Sequence, residues 1–185
     1  LEQVDDDALG QLAETETPQG IVAVIEPRLG RLEDLVPGPR GVVLVLDGVQ
    51  DPGNVGALAR TALGLGAVGL IALPGTADLR NPKALRGSMG ALFRLPAITA
   101  ELPQCIAWAR ANGVELWTTA ADGVRVDLVP RTGPIALLLG NEGAGVSPQL
   151  AASSARSVAV PLAGGVESLN VAVAAGILLY EVTRD

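Results

Sequence analysis

Five polar side chains with the chemistry to act on a substrate lie just after apolar runs of the chain. They are Asn54, Arg60, Glu142, Ser168 and Asn170. The 185 residues include no histidine and one cysteine, which excludes a Ser-His-Asp triad, a Cys-His pair and the usual zinc sites. Any chemistry in this chain therefore depends on guanidinium, carboxylate, amide or hydroxyl groups, or on a bound cofactor, and no metal is expected.

Each of these side chains also has a purely structural interpretation. Asn54 follows Pro-Gly and can cap the next helix, which would leave Arg60 as a surface arginine. Glu142 stands in the glycine-rich stretch GNEGAG and can be a solvated turn residue. Ser168 can cap the last helix, a role worth about 1 kcal/mol. Asn170 is harder to explain, because an unpartnered amide buried in an apolar helix costs a few kcal/mol.

The elements that position these residues are predicted from apolar runs. The predicted strands are IVAVIE (21–26), GVVLVLDGV (41–49), VGLIALP (68–74), VELWTTA (114–120), PIALLLG (134–140) and SVAVPL (157–162). The predicted helices are Asn54–Leu65, Pro82–Met89, Pro103–Ala111, Pro148–Ala152 and Ser168–Thr183. Such alternation is typical of an α/β fold with a parallel sheet covered by helices on both faces. Ligands of such sheets bind at the carboxyl ends of the strands.

The stretch GLGAVG, residues 64–69, matches the dinucleotide-binding pattern G-x-G-x-x-G. That pattern needs a preceding strand and a following helix, whose N-terminus then faces pyrophosphate. Here the order is reversed, since the stretch follows a predicted helix and precedes a predicted strand. We therefore expect a helix C-cap and a tight turn, and a nicotinamide-dependent enzyme is disfavoured.

Composition limits the class of protein further. The chain is 49% hydrophobic, which is typical of a folded domain, and it shows no signal peptide or membrane span. A single cysteine, Cys105, fits a reducing compartment, so we expect a cytoplasmic protein. The net charge of −7 argues against binding of nucleic acid through a broad positively charged surface. Residues 1–20 read as a short acidic helix and a linker.

Three segments in this order resemble the SpoU (TrmH-like) branch of the SPOUT RNA methyltransferases. They are DPGNVGALART, LLLGNEGAGVS and VAVPLAGGVESLNVAVAAGILLYE. The connecting segment NPKALRGSMGALFRLP is also similar, and the likeness covers roughly residues 20–185. It implies a parallel α/β sheet with a C-terminal deep trefoil knot, and a homodimer. It also implies transfer of the methyl group of S-adenosylmethionine to a ribose 2′-hydroxyl in RNA, more naturally ribosomal RNA than transfer RNA.

The resemblance also assigns roles to residues. It places the cofactor against Thr119, Gly140, Val160, Leu162 and Leu169, and it places the reaction at Arg60, Asn54, Glu142, Ser168 and Asn170. Arg60 would act as the base or as a cation that stabilises the developing alkoxide, with Glu142 and Asn170 orienting it and the ribose. A catalytically silent RNA-binding or ribosome-assembly module with the same fold is the alternative.

Two further expectations concern chain organisation. The stretch TPQGIVAVIEP resembles the join between a separate RNA-binding domain and the catalytic domain of the family. We therefore expect residues 1–20 to be a linker or a remnant of such a domain, and residues 21–185 to be the catalytic domain. Between Leu169 and Leu179 only Asn170 has a polar side chain, and a helix apolar all round needs cover on more than one side. A partner subunit would provide it.

Overall fold

A single parallel sheet forms the centre of the molecule in the computed structural model, which describes residues 2–13, 18, 20–25 and 29–184. The strands are β1 (Val42–Asp47), β2 (Gly69–Ala72), β3 (Ala97–Thr99), β4 (Glu115–Arg125), β5 (Ile135–Gly140) and β6 (Arg156–Ala159). Their order across the sheet is β3-β2-β1-β5-β4-β6, and every neighbouring pair is parallel. The predicted α/β class is confirmed.

Helices cover both faces of this sheet. They are α2 (Pro52–Gly64), α3 (Pro82–Gly87), α4 (Leu102–Ala111), α5 (Pro148–Ala151) and α6 (Val171–Thr183), whereas the first helix, α1 (Asp6–Leu12), has no buried residue. Three short 3-10 turns are Leu32–Asp34, Ala91–Phe93 and Val126–Leu128. Alternate residues of β1 enter opposite cores: Leu44 packs with α2 and α6, whereas Val45 packs with α4. Burial on both faces explains why β1 and β5 read as unbroken apolar runs.

The prediction of a strand over 21–26 is wrong. Residues 21–25 have no regular secondary structure, and Glu26 lies outside the described residues. A strand needs a partner ladder, and this segment has none among the strands that the structure describes; Val24 is 99% exposed. The prediction also missed β3, a three-residue strand too short to show as an apolar run, which pairs with β2.

Two further predictions concern the ends of helices. The GLGAVG stretch does form the predicted turn: α2 ends at Gly64, Gly66 has a φ of 79°, and β2 begins at Gly69. The last helix, in contrast, starts later than predicted, at Val171 rather than at Ser168. None of the helices within the described ranges is long and apolar enough to cross a membrane.

Arg131 ties the end of α6 to the sheet. Its guanidinium donates to the carbonyl oxygens of Val182 at 2.6 Å, Gly133 at 3.0 Å and Gly41 at 3.1 Å. Burial lowers the pKa of Arg131, because desolvation disfavours the charged form. A cation beside the last turn of a helix is also favoured by the helix dipole. This contact holds α6 in place against β1.

Candidate active site

Side chains from the three motifs form one chain of hydrogen bonds. The Asn170 Nδ2 donates to Asn54 Oδ1 at 3.0 Å, and the Asn54 Nδ2 donates to Glu142 Oε1 at 2.8 Å. These partners lie 116 and 88 residues apart in sequence. We call Asn170, Asn54 and Glu142 the polar relay. It lies where α2, α6 and the turn after β5 meet.

The start of α6 sets the direction of the relay. Asn170 is the N-cap of this helix, and its Oδ1 accepts from the backbone N–H groups of Ala172 at 2.9 Å and Val173 at 3.4 Å. Because that oxygen is occupied by donors, the Asn170 amide must present its NH₂ group to Asn54. Asn54 then accepts with its oxygen and donates to Glu142. The Oε2 of Glu142 is left without a hydrogen bond to any residue that the structure describes.

Two structural interpretations of these residues are wrong, the helix caps assigned to Ser168 and to Asn54. Ser168 does not cap the last helix, because the Asn170 side chain reaches the free N–H groups instead. Asn170 is exposed rather than buried within the helix, so its partners are not explained by burial. Asn54 does not cap α2, since that helix already begins at Pro52. Asn54 is instead a side chain of the first turn, directed at α6 and Glu142.

Asp51 is the residue that caps α2. Its Oδ2 accepts from the Asn54 N–H at 3.1 Å, and its Oδ1 accepts from Lys83 Nζ at 2.6 Å. The hydrogen bond from Lys83 is the main cause that lowers the pKa of Asp51. The cap fixes the backbone of Asn54 and thus the start of the relay. An Asp three residues before Asn54 is a cap signal in the sequence, but Asn54 itself is an equally good cap residue.

Next to the relay, a pocket opens at the carboxyl ends of β4, β5 and β6. All five residues predicted to bind the cofactor line it: Thr119, Gly140, Val160, Leu162 and Leu169. Glu142 and Ser168 also line this pocket. Its walls are therefore mostly apolar, with carboxylate and hydroxyl groups at one side. Apolar walls with a few placed polar groups are typical of a pocket for a small organic ligand.

The turn after β5 approaches this pocket with its backbone. A Cβ atom on Gly140 would overlap the backbone of Gly145 and Val146, so only glycine allows the turn to fold over the strand end. Asn141 holds the turn: its Oδ1 accepts from the N–H groups of Gly143 at 2.9 Å and Ala144 at 3.0 Å, and its Nδ2 donates to the Gly48 carbonyl at 3.0 Å.

The sequence interpretation missed Asn141. Asn141 is not among the residues predicted to act in catalysis, yet its contacts fix the position of the neighbouring Glu142. In turns, an asparagine side chain commonly hydrogen-bonds the backbone two residues ahead. The sequence Asn-Glu-Gly could therefore have predicted that Asn141 holds this turn.

Arg60 is not part of the relay within a single chain. It is exposed on α2, and its guanidinium makes no hydrogen bond or ion pair with any residue in the described ranges. Six residues of helix place it about 9 Å along the axis from Asn54 and roughly 120° around it. The hypothesis that Glu142 and Asn170 orient Arg60 therefore finds no contact in a single chain. Both residues contact Asn54 instead.

A parallel α/β sheet with a mostly apolar pocket at its carboxyl edge, next to a polar relay, is the arrangement in which proteins of this class bind a small organic ligand. Comparison with known proteins narrows this class. Residues 41–180 match the sequence model of the SpoU rRNA Methylase family. The chain belongs to this family, which confirms the family predicted from the three motifs.

The relatives are similar over most of this chain. It is 41% identical over 180 residues to a 23S rRNA (guanosine(2553)-2'-O)-methyltransferase of Bacillus subtilis, covering 97% of this chain and 71% of the relative. It is 39% identical over 158 residues to a 23S rRNA (adenosine(1067)-2'-O)-methyltransferase of Streptomyces azureus, covering 84% and 58%. An AdoMet-bound rRNA methyltransferase of Sinorhizobium meliloti superposes with a TM-score of 0.92 at 34% identity, covering 96% and 69%.

Proposed function

We propose that this chain transfers the methyl group of S-adenosylmethionine to a ribose 2′-hydroxyl of 23S ribosomal RNA. The observation that carries the proposal is the joining of Asn54, Glu142 and Asn170 beside a pocket that all five predicted cofactor residues line. Family membership and the named activities of the relatives support the same reaction. The chain is an RNA 2′-O-ribose methyltransferase that uses S-adenosylmethionine, as the sequence predicted.

The pocket residues fit this cofactor. Gly140 lets the turn pack its backbone against the strand end beside the pocket, and Val160, Leu162 and Leu169 offer apolar surface for an adenine ring. Glu142 borders the pocket, and its carboxylate complements a cationic group. When bound, S-adenosylmethionine supplies a sulfonium methyl group to a nucleophile.

The relay suits the handling of the acceptor hydroxyl. A ribose hydroxyl is a poor nucleophile until its proton is removed. Glu142 Oε1 is held by Asn54, so Oε2 is free to accept a hydrogen bond from the ribose and to orient it. Orientation of a bound nucleophile supplies a large part of most rate enhancements. Ser168 lines the same pocket, and its hydroxyl is a further hydrogen-bonding group for the substrate.

Arg60 acts, in this proposal, at the site of a second protomer. Three apolar side chains are exposed on α6 at spacings of four and three residues: Val173 at 52%, Ile177 at 39% and Tyr180 at 56%. They form one stripe beside α2, because α6 packs against α2 so closely that a Cβ atom added to Gly176 would lie 3.5 Å from the Thr61 methyl group. Burying this stripe in a homodimer would bring the exposed α2 face, with Arg60, against the partner.

Two measurements test the proposal. Calorimetry should show S-adenosylmethionine binding, and transfer of radiolabelled methyl to 23S rRNA transcribed in vitro should yield a 2′-O-methylated nucleotide on base-resolution mapping. Arg60→Ala should abolish turnover with cofactor binding retained, while Arg110→Ala, a second exposed arginine on α4, should act normally. A chain that binds the cofactor but methylates no RNA would instead be the silent module.

The homodimer has its own test. Sedimentation should give a dimer for the unmodified chain and a monomer for Ile177→Arg, which places a charge in the centre of the stripe. Cofactor binding by the monomer would separate folding from assembly. A dimer that survives Ile177→Arg would contradict an interface at this stripe.

The other expectations stay proposals. A transfer RNA substrate is the second candidate for the RNA, since the chain is also similar to a TrmH/SpoU tRNA modifying enzyme of A. aeolicus, with a TM-score of 0.68 at 26% identity. The trefoil knot, the cytoplasmic location and the division into a remnant 1–20 and a catalytic domain 21–185 remain predictions. The chain spans 71% and 58% of the length of the Bacillus subtilis and Streptomyces azureus relatives.

A further inference from the structure

A basic segment stands out in this acidic chain. Between Asp78 and Glu101 there is no acidic residue, whereas Arg80, Lys83, Arg86 and Arg94 lie within it. Four of the thirteen basic residues are thus concentrated in a short stretch of a chain whose net charge is −7. A local excess of positive charge creates a field that the net charge conceals.

A groove borders this segment. It has a volume of about 760 Å³, lies along the edge strand β3, and is larger than the pocket beside the relay. We call it the edge groove. Arg31, Arg80 and Arg94 line it, and Asp34 is its only acidic lining residue within the described ranges. Its floor is made of apolar side chains such as Leu79 and Leu92.

The arginines of the edge groove can change partners. Arg31 pairs with Glu33 at 3.1 Å and Arg80 with Asp78 at 3.1 Å, and all four side chains are at least half exposed. Exposed ion pairs contribute little to stability, so a phosphate can compete for these guanidinium groups. The Arg94 guanidinium has no hydrogen-bond or ion-pair partner within the part of the chain that the structure describes.

Phe93 adds an aromatic surface to the same groove. It is the only phenylalanine of the chain, lines the edge groove and is 57% exposed. Both tryptophans, in contrast, are buried. An exposed aromatic ring next to arginine is the combination on which unpaired bases stack. A purely apolar partner would leave the three arginine side chains of the groove without a group of opposite charge.

We propose that the edge groove binds an unpaired stretch of the substrate RNA, with a base stacked on Phe93 and phosphates at Arg31, Arg80 and Arg94. This inference rests on the proposed function. Across the sheet, the edge groove at β3 and the cofactor pocket at β5 are separated by three strand spacings, or about 14 Å. A few unpaired nucleotides connect the two, so the groove holds RNA that flanks the methylated nucleotide.

The test measures affinity for a short, fluorescein-labelled single-stranded RNA of mixed sequence by anisotropy. Phe93→Ala should weaken binding roughly 5- to 150-fold, the range seen when alanine replaces a stacking aromatic residue. Phe93→Trp, which keeps a stacking surface, should bind like the unmodified chain. Arg94→Gln should weaken binding and reduce the slope of log K against log salt by about 0.7. Arg110→Gln, on α4, is the matched control.

Calorimetry with S-adenosylmethionine and sedimentation accompany each variant. Unchanged cofactor affinity and oligomeric state, with reduced RNA affinity, support the inference. If Phe93→Ala and Arg94→Gln both bind the RNA as tightly as Arg110→Gln does, the inference fails. If these two variants also differ from the unmodified chain in oligomeric state, the edge groove is instead a contact between two copies of the chain. If the unmodified chain does not bind S-adenosylmethionine, the proposed function is contradicted instead.

Discussion

Replacing Asn54 by aspartate exchanges the Nδ2 group of the relay for an oxygen, so that a hydrogen-bond donor becomes an acceptor. The Asn54 Nδ2 donates to Glu142 Oε1 at 2.8 Å, whereas its Oδ1 accepts from Asn170. Aspartate keeps the acceptor and the shape, but it places a second carboxylate against Glu142. Asn54→Asp therefore tests the direction of the relay without removing bulk.

The size of the effect follows from the distance. Two negative charges 2.8 Å apart repel by about 1.5 kcal/mol in bulk water and about 6 kcal/mol at the effective dielectric of a protein surface. Glu142 is exposed, so we expect a value towards the lower end. If this repulsion displaces Glu142 and raises the activation free energy by a similar amount, each 1.4 kcal/mol lowers the rate tenfold. Turnover should therefore fall about ten- to a hundredfold near pH 8.

The assay is methyl transfer to 23S rRNA over a range of pH, with cofactor affinity measured separately. Acidification lets the two carboxyl groups share a proton, which restores a donor and should recover part of the activity of Asn54→Asp near pH 5. Asn54→Ala has no second carboxylate and should show no such recovery. Equal activity of Asn54→Asp and the unmodified chain at pH 8, or recovery in both variants, would refute the relay.

Three further predictions concern stability and the pocket. Arg131→Ala removes a donor from three carbonyl groups, of which Gly41 keeps the Ile135 N–H at 3.1 Å, and should lower the free energy of unfolding by about 2–4 kcal/mol in urea; Arg110→Ala should not. Gly140→Ala should displace the turn over β5 and abolish cofactor binding in calorimetry, while Gly133→Ala, where an added Cβ meets nothing within 4 Å, should leave it intact. Burial, with a smaller effect of Asp47, raises the pKa of Cys105 to about 11, so a thiol reagent at pH 8 should label it only as fast as the chain opens. The same shift favours the folded state below about pH 9, and that contribution should be lost as the pH rises through about 11.

Much of this protein can be read from its sequence, because local patterns determine local structure. The strands β1 and β5 are buried on both faces, so they appear as unbroken apolar runs. The glycine at 140 stands where backbone must approach backbone. The GLGAVG stretch was placed correctly as a turn, since its meaning depends on the order of helix and strand around it.

Other features depend on contacts between distant residues. Asp51, Asn54, Ser168 and Asn170 are all good helix caps by type, and only the folded chain decides which of them reaches the free N–H groups. The relay itself joins residues 88 and 116 positions apart, so spacing alone could not orient its amides. Sequence determined which residues meet at the carboxyl edge of the sheet; tertiary structure decided that Asn54, not Arg60, contacts Glu142, because the helix turns Arg60 away.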